Sequence, residues 1–155
     1  MGGILTINGA QIGKELNNYP FANAIEKSDG SCIIIVLTDA PLDSRQLERV
    51  AKRAMMGLAK TGGIASNGSG DYVIAASTSI SMQIPDKNTS PFIKSTILRN
   101  EEMSPVFLAS IEATEEAIIN SLFMAEPSTG NNNHNVQKLP IDEVIPLLKK
   151  YGVIK

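Results

Sequence analysis

The order of apolar and polar residues predicts two buried strands and two long helices. Residues 31–39 are almost continuously apolar and β-branched, without alternation, which predicts a strand buried on both faces. Residues 71–78 have the same character and predict a second central strand. Because strands and long helices follow one another along the chain, we expect a layered fold of the α/β or α+β class.

Helical spacing is clearest after Leu42. Asp43 or Ser44 is the expected N-cap, Gly62-Gly63 is the expected end, and one face is apolar: Leu47, Val50, Ala51, Ala54, Met55 and Leu58. A second helix is predicted from Pro105 to about Ala125. Its apolar face holds Val106, Ala109, Ala113, Ala117, Ile118, Ser121 and Leu122, and its solvent face holds Glu112, Glu115 and Glu116. A short last helix is predicted from Ile141 to Tyr151, with a kink at Pro146.

The N-terminal region has a different pattern. Asn8-Gly9 lies between two short apolar runs, which predicts a β-hairpin. No helical pattern follows that could cover this hairpin, so residues 1–30 resemble the end of a larger unit. Residues 65–70, 82–92 and 130–135 are polar or contain Pro and Gly, and they are predicted loops.

Composition narrows the function classes. A chain of 155 residues is expected to form about one domain, and its net charge of −2, its 5% of aromatic residues and its lack of Trp argue against nucleic-acid or membrane-surface partners. One Cys and one His exclude a disulfide framework and a multi-ligand metal cluster. There is no run of 18 apolar residues and no signal-peptide pattern at the N-terminus, so a cytoplasmic protein without a membrane span is expected.

The first candidate for chemistry is Gly30-Ser31, where a serine opens a buried strand after a turn-forming sequence. A serine at a chain's N-terminus can use its own α-amine, with a pKa of about 7.7–8.0, as the general base, so it needs no histidine. An internal serine can attack the preceding carbonyl, and glycine leaves that carbonyl accessible. Serine and glycine are also common where strands begin, so these residues alone leave both interpretations open.

The second candidate is the loop that ends in Asp71. Gly68 and Gly70 free backbone N–H groups to bind an oxyanion, and Asn67 lies beside them. Ser69 and Asp71 are two residues apart, so in an extended chain they share a face, and a carboxylate beside a hydroxyl can orient a proton. An ordinary loop capped by an aspartate remains the alternative.

The remaining polar candidates favour ordinary structural roles. His134 lies in a polar loop without an acidic neighbour in sequence, so a solvated histidine is expected. Cys32 follows Ser31 and should point to the other side of the strand as a small buried apolar side chain. The three glutamates of the second helix lack a Glu-x-x-His partner, so they are interpreted as a solvated face.

Several long strings of the sequence together resemble one family. They are Asp29-Gly30-Ser31 leading into the first strand, residues 38–43, residues 45–62, residues 66–71 and residues 112–126. In this combination they resemble the DmpA-type family of L-aminopeptidase/D-esterases and β-peptidyl aminopeptidases. The resemblance covers nearly the whole chain.

The resemblance implies a self-processing enzyme that is cut between Gly30 and Ser31. Ser31 would then be the N-terminal nucleophile that releases N-terminal residues from peptides, amides or esters, and Ser69 and Asp71 match the positions that assist it. The fold implied is a four-layer α/β/β/α sandwich in an oligomer of processed heterodimers, with no metal or organic cofactor.

One departure from the family matters. Family precursors have a much longer region before the cut, whereas this chain has 30 residues there. Residues 1–30 match only the tail of the α-chain region, and residues 31–155 match the β-chain region. We therefore expect a C-terminal fragment whose apolar surface needs a partner, the upstream α-region. An inactive assembly module is the first alternative, and acyl transfer of the ornithine acetyltransferase type is the second, although that family uses Thr where this chain has Ser31.

Overall fold

A computed structural model of the chain describes residues 4–16, 30–87, 90–133 and 135–155. The elements in chain order are α1 (Ile12–Glu15), β1 (Ile33–Thr38), α2 (Ser44–Lys60), β2 (Tyr72–Ser77), α3 (Met103–Phe123), β3 (Ser128–Thr129), β4 (Asn135–Val136) and α4 (Ile141–Lys150). Short 3₁₀ turns cover Ile80–Met82, Asn100–Glu102 and Asn131–Asn133. The mixture of helices and parallel strands agrees with the predicted fold class.

The centre of the fold is a parallel pair of strands covered by helices. β1 and β2 pair in register from Ile33↔Tyr72 to Thr38↔Ser77. α2 connects them as a crossover, which parallel strands require, and α3 packs across α2. Ile34 of β1 packs inward against Ala54 and Leu58 of α2. The described residues therefore form one helical layer on one face of the sheet.

Only one of the two sheet faces is covered in this part of the chain. Ile33, Ile35 and Leu37 of β1 are 64–70% exposed, and Tyr72 and Ile74 of β2 are 67% and 58% exposed. These five side chains are called the outer face below. The prediction that β1 is buried on both faces is therefore wrong for the described residues, because they place a helical layer on one side alone. The unbroken apolar sequence of β1 is nevertheless typical of a strand that has a second covering layer.

Helix α2 begins and ends where the sequence predicts. Asp43 is the N-cap, its side chain accepts a hydrogen bond from the backbone of Gln46, and the Gln46 side chain accepts one from the backbone of Asp43, which completes a capping box. Gln46 is 1% exposed and also donates to the Leu98 carbonyl at 2.8 Å, so it ties the loop before α3 to the helix. At the C-terminus, Gly62 has a φ of +95°, the left-handed conformation that favours glycine.

The buried face of helix α3 overlaps the predicted one only in part, through Val106, Ile118 and Leu122, which pack against buried clusters. Its buried side chains are Met103, Ser110, Thr114 and Glu115, whereas Ala109, Ala113 and Ala117 are exposed. The prediction of a solvated Glu115 is wrong, because this side chain lies against α2 and forms an ion pair with Lys60. Glu112 and Glu116 are exposed as predicted. The difference arises because the α3 backbone approaches Gly57 of α2 most closely, which buries small residues there, while Met103 and Ile118 pack against α2 on either side.

The N-terminal hairpin prediction is correct in its turn and wrong in its length. Asn8 and Gly9 both have positive φ, 46° and 85°, and Ile7 and Ala10 exchange both backbone hydrogen bonds across them. The pairing stops at this single bridge, because α1 begins at Ile12. The segment instead folds onto α4, which holds Pro146 within it as predicted.

The loop predictions are largely confirmed. Residues 83–99 have no regular structure where they are described, and the predicted 130–135 loop is bracketed by the two-residue strands β3 and β4. His134 lies outside the described residues, so its predicted role stays a prediction. Among the described helices, none has the length and apolarity needed to cross a membrane.

Candidate active site

The parallel strand pairing brings the two candidate segments together. The Tyr72 N–H donates to the Cys32 carbonyl at 3.0 Å, so the residues just before β1 lie beside the residues just before β2. Parallel strands start at the same end of their sheet. The Gly30-Ser31 step and the Ser69–Asp71 segment are therefore neighbours in space, although 39 positions separate Gly30 from Ser69 in the sequence.

The Ser31 hydroxyl is held by backbone. The Gly70 N–H donates to Ser31 Oγ at 3.0 Å. A methyl group added at Gly70 would lie 3.6 Å from the same Oγ, which is ordinary contact, so glycine is not required for space. The sequence identified Gly70 as a source of a free N–H, and the structure directs that N–H to the serine oxygen.

The Ser69 hydroxyl lies between two acceptors. Its Oγ is 2.7 Å from the Gly30 carbonyl oxygen and 2.8 Å from Asp71 Oδ2. A serine hydroxyl has one proton, so an ionised Asp71 and the Gly30 carbonyl compete for it. Ser69 therefore connects the carboxylate to the peptide bond that precedes Ser31.

Asp71 is fixed by both of its oxygens. Oδ1 accepts the Cys32 N–H at 2.8 Å, and Oδ2 is the oxygen that faces Ser69. A backbone donor on the neighbouring strand orients the carboxylate without a charged partner. Burial, with a smaller effect of the Asp71 charge, raises the pKa of the Cys32 thiol, so this partly buried cysteine stays protonated at neutral pH, as its predicted apolar role requires.

Two of the loop residues lie on the turn that precedes Ser69. Asn67 and Gly68 are on the turn that the Ser69 N–H closes by donating to the Ser66 carbonyl at 2.8 Å. A methyl group added at Gly68 would meet nothing within 4 Å. Within the described parts of the chain, no three His, Cys, Asp or Glu side chains gather at this site or elsewhere as a metal site.

The Ser31 side chain points to the face of the sheet that the described residues leave uncovered. Exposure alternates along residues 31–38, with Ser31, Ile33 and Ile35 exposed and Cys32 and Ile34 turned to the helices. Side chains two apart on a strand share a face, so Ser31 points to the side of the outer face. Sequence reasoning identified the polar side chains of the site but missed the Cys32 N–H, because a backbone donor gains its role from strand pairing and leaves no signal in residue type.

Comparison with known proteins decides the family. The model of peptidase family S58 matches residues 1–136. The chain belongs to this family. The match includes Ser31, Ser69 and Asp71, and it agrees with the DmpA-type resemblance of the sequence. Helix α4 lies beyond the matched residues.

Curated relatives of this S58 chain are β-peptidyl aminopeptidases. The chain is 37% identical over 160 residues to the β-peptidyl aminopeptidase BapA of Sphingosinicella microcystinivorans, a match that covers 95% of this chain and 40% of that protein. It is 36% identical to BapA of Sphingosinicella xenopeptidilytica, covering 94% of this chain and 38% of that protein. The chain therefore spans about 40% of the length of these relatives.

Solved structures give the same fold. The PH0078 protein from Pyrococcus horikoshii OT3 matches with a TM-score of 0.82 and 44% identity, over 97% of this chain and 39% of that one. The L-aminopeptidase D-Ala-esterase/amidase from Ochrobactrum anthropi matches with a TM-score of 0.82 and 30% identity, over 97% of this chain and 40% of that one. That enzyme is described as a prototype of the serine aminopeptidases with a variant of the Ntn hydrolase fold. The S58 chain has the part of this fold that surrounds Ser31.

Proposed function

We propose that this S58 chain carries the nucleophile of a self-processing aminopeptidase, which releases N-terminal residues from peptides, amides or esters. The observation that carries the proposal is the contact set at Ser31. Its hydroxyl accepts the Gly70 N–H, and Ser69 lies within hydrogen-bond distance of both the preceding carbonyl and Asp71. Family membership and the names of the relatives support the same class of reaction.

The self-cleavage step begins with attack of Ser31 Oγ on the Gly30 carbonyl carbon. The Ser69 hydroxyl donates a hydrogen bond to the Gly30 oxygen, 2.7 Å away, and stabilises the negative charge that develops there. The C–O bond forms, the C–N bond breaks, and the hydroxyl proton moves to the Ser31 nitrogen. Water then hydrolyses the ester, which leaves a Gly30 carboxylate and a free Ser31 with its hydroxyl and amine.

Turnover uses the same oxygen with the new amine. The α-amine of a free Ser31, with a pKa of about 7.7–8.0, takes the hydroxyl proton while Oγ attacks the substrate carbonyl. The amine or alcohol of the substrate leaves with a proton, and water hydrolyses the acyl-enzyme. Once Gly30 no longer accepts from it, Ser69 donates to Asp71, which the Cys32 N–H holds in place.

Intact-mass spectrometry of the purified, undenatured protein tests this proposal. We expect two species, residues 1–30 and residues 31–155, together with hydrolysis of aminoacyl or β-aminoacyl p-nitroanilides. A single species of 155 residues that hydrolyses none of these substrates would contradict self-processing by this chain and would favour the inactive assembly module. Cleavage at any other bond would contradict the role of Ser31.

The outer face suggests the partner of this enzyme. We infer that this chain binds a polypeptide that corresponds to the part of the relatives outside their match to this chain. This polypeptide covers the outer face and Ser31. Two strands are too few for an independent sheet, and β1 pairs with β2 alone among the described residues. A groove of about 390 Å³ also runs along β1 beside Ala113, Ala117 and Ser121 of α3. An added strand would fill it.

Replacing Ile35 by aspartate is expected to prevent this association, because a charge would be buried between two apolar layers. The measurement is gel filtration of the chain mixed with the part of BapA that lies outside the match. Ile80, which is 84% exposed and is not one of the five side chains of the outer face, provides the control Ile80→Asp. Complex formation that tolerates Ile35→Asp, or a homodimer that Ile35→Asp dissociates, would contradict the inferred partner.

A further inference from the structure

Tyr72 brings an aromatic ring to the end of the outer face where Ser31 lies. It is the first residue of β2, pairs with Ile33 of β1, and donates its backbone N–H to the Cys32 carbonyl at 3.0 Å. Ser31 and Ile33 share a face because they are two residues apart on one strand. Tyr72 and Ile33 both belong to the outer face, so the Tyr72 side chain stands on the same side of the sheet as the nucleophile.

The tyrosine ring is turned towards Ser31. A methyl group added at Gly70 would lie 3.5 Å from Tyr72 Cε2 and 3.6 Å from Ser31 Oγ, so the ring edge and the serine oxygen both lie within 3.6 Å of one point. Gly70 itself has no side chain that occupies this point. A substrate carbonyl that binds at Oγ would therefore bring its neighbouring groups within reach of the ring.

The ring has no structural contact that explains its position. Within the part of the chain that the structure describes, Tyr72 is 67% exposed and its hydroxyl has no hydrogen-bond partner. Other aromatic residues differ, since Arg53 lies over the Phe107 ring at 3.8 Å and the Tyr151 hydroxyl donates to Glu15. The ring face of Tyr72 is therefore available to a ligand.

The polypeptide that is proposed to cover the outer face must leave room at this end of it. A substrate carbonyl has to reach Ser31 Oγ, so the space next to this oxygen stays open in the assembled enzyme. Tyr72 and Ile33 border that space. Ile35 and Ile74 lie further along the two strands, where the covering polypeptide can contact them.

We propose that Tyr72 is a specificity-determining residue, whose ring binds a large apolar or aromatic side chain of the N-terminal residue that the enzyme releases. This inference rests on the proposed function, because it concerns the same site. Aromatic rings gain from offset or edge-to-face contact, and Ile33 extends the ring surface with an apolar side chain. The released residue is the group concerned, because peptide, amide and ester substrates share it whatever their leaving group.

The ammonium group of the substrate is a poorer match for this position. An aromatic ring can bind a cation, but moving an ammonium group from water to an apolar surface is costly without a paired anion. The Asp71 carboxylate, which precedes Tyr72, already accepts the Cys32 N–H and faces Ser69. The ring is therefore expected to select the side chain of the substrate and not its amine.

Hydrolysis of phenylalanyl and alanyl p-nitroanilides tests the inference in the processed enzyme, with the covering polypeptide present. The readout is the ratio of the two kcat/KM values. We expect this ratio to fall about tenfold in Tyr72→Ala and to change by less than about twofold in Tyr72→Phe, which keeps the ring. An unchanged ratio in Tyr72→Ala would overturn the inference. An equal loss for both substrates would also overturn it, because it would indicate contact with the ammonium group that both contain.

Two comparisons test whether the effect is specific. Phe92→Ala removes another exposed ring, from the loop between β2 and α3, and should leave the ratio unchanged. Alanyl p-nitroanilide and alaninamide have the same released residue, so their own kcat/KM ratio should stay constant in Tyr72→Ala. A change confined to this second ratio would place the ring on the leaving-group side and would overturn the inference.

Tyr72→Ile separates specificity from assembly. It keeps apolar bulk on the outer face, and it replaces Tyr72→Ala if the alanine variant is not processed or does not bind the covering polypeptide. The phenylalanyl-to-alanyl ratio should then fall about threefold, because the aromatic contact alone is lost. An unchanged ratio would overturn the inference alone, whereas a parent enzyme that hydrolyses none of these substrates would overturn the proposed function and the inference with it.

Discussion

Replacing Ser31 by alanine is expected to leave one uncut chain of 155 residues and to lower peptidase turnover by at least about 10⁴-fold. The reason is that Ser31 Oγ is the attacking atom in both the self-cleavage and the hydrolysis proposed here, and alanine has no atom to replace it. The measurements are intact mass and the rate of p-nitroaniline release. Ser31 is exposed, so the melting temperature should stay unchanged.

Three variants make this prediction specific. Ser31→Cys keeps a nucleophile and should retain self-cleavage, whereas Ser104→Ala removes an exposed serine at the start of α3 and should behave as the parent. Asp71→Asn keeps an acceptor for the Cys32 N–H but loses the charge next to Ser69, so an intermediate loss of about 10²-fold is expected. Normal cleavage and turnover in Ser31→Ala would refute the assignment of the nucleophile.

Replacing Gly57 by alanine is expected to lower the free energy of unfolding by about 2 kcal/mol and the melting temperature by roughly 5 °C. A methyl group at residue 57 of α2 would lie 2.5 Å from the Ile111 carbonyl oxygen and 2.7 Å from Thr114 Cβ, both on α3. Alanine favours a helix by at most about 1 kcal/mol over glycine, so the clash outweighs the gain. Thermal unfolding followed by circular dichroism measures the difference.

Gly68 provides the matched control. A methyl group there meets nothing within 4 Å and its φ is not positive, so Gly68→Ala should leave the melting temperature unchanged within about 1 °C. A Gly57→Ala protein as stable as the parent would show that α2 and α3 can separate without cost. The close crossing of these helices would then not be a source of stability.

The side chains that meet at Ser31 could be selected from the sequence because they are polar residues in unusual positions. A serine after glycine at the start of an apolar strand, and a serine two residues before an aspartate in a glycine-rich loop, are visible in the sequence alone. Their mutual contact was not visible, because it depends on the parallel register that sets Cys32 beside Tyr72. Register is a property of the paired strands, so it cannot be read from the sequence of either segment alone.

The buried faces of the two long helices were also predictable only in part. Helix α2 carries charged side chains on one side and apolar side chains on the other, and its core face was predicted correctly. Helix α3 carries small and apolar residues on several sides, so periodicity defined its core face poorly, and Glu115 was misplaced on the solvent side. The face was chosen by Gly57, whose missing side chain lets the α3 backbone approach α2.

The sequence by itself determined the two central strands, the boundaries of α2 and the residue types at Gly30, Ser31, Ser69 and Asp71, because propensity, capping and short-range spacing act over a few neighbouring residues. Only the tertiary structure decided that these residues meet, that α4 packs against residues 4–16 and that the described residues leave the outer face uncovered. Those outcomes depend on contacts between segments far apart in the chain, where backbone donors and the space left by a glycine count as much as side-chain type.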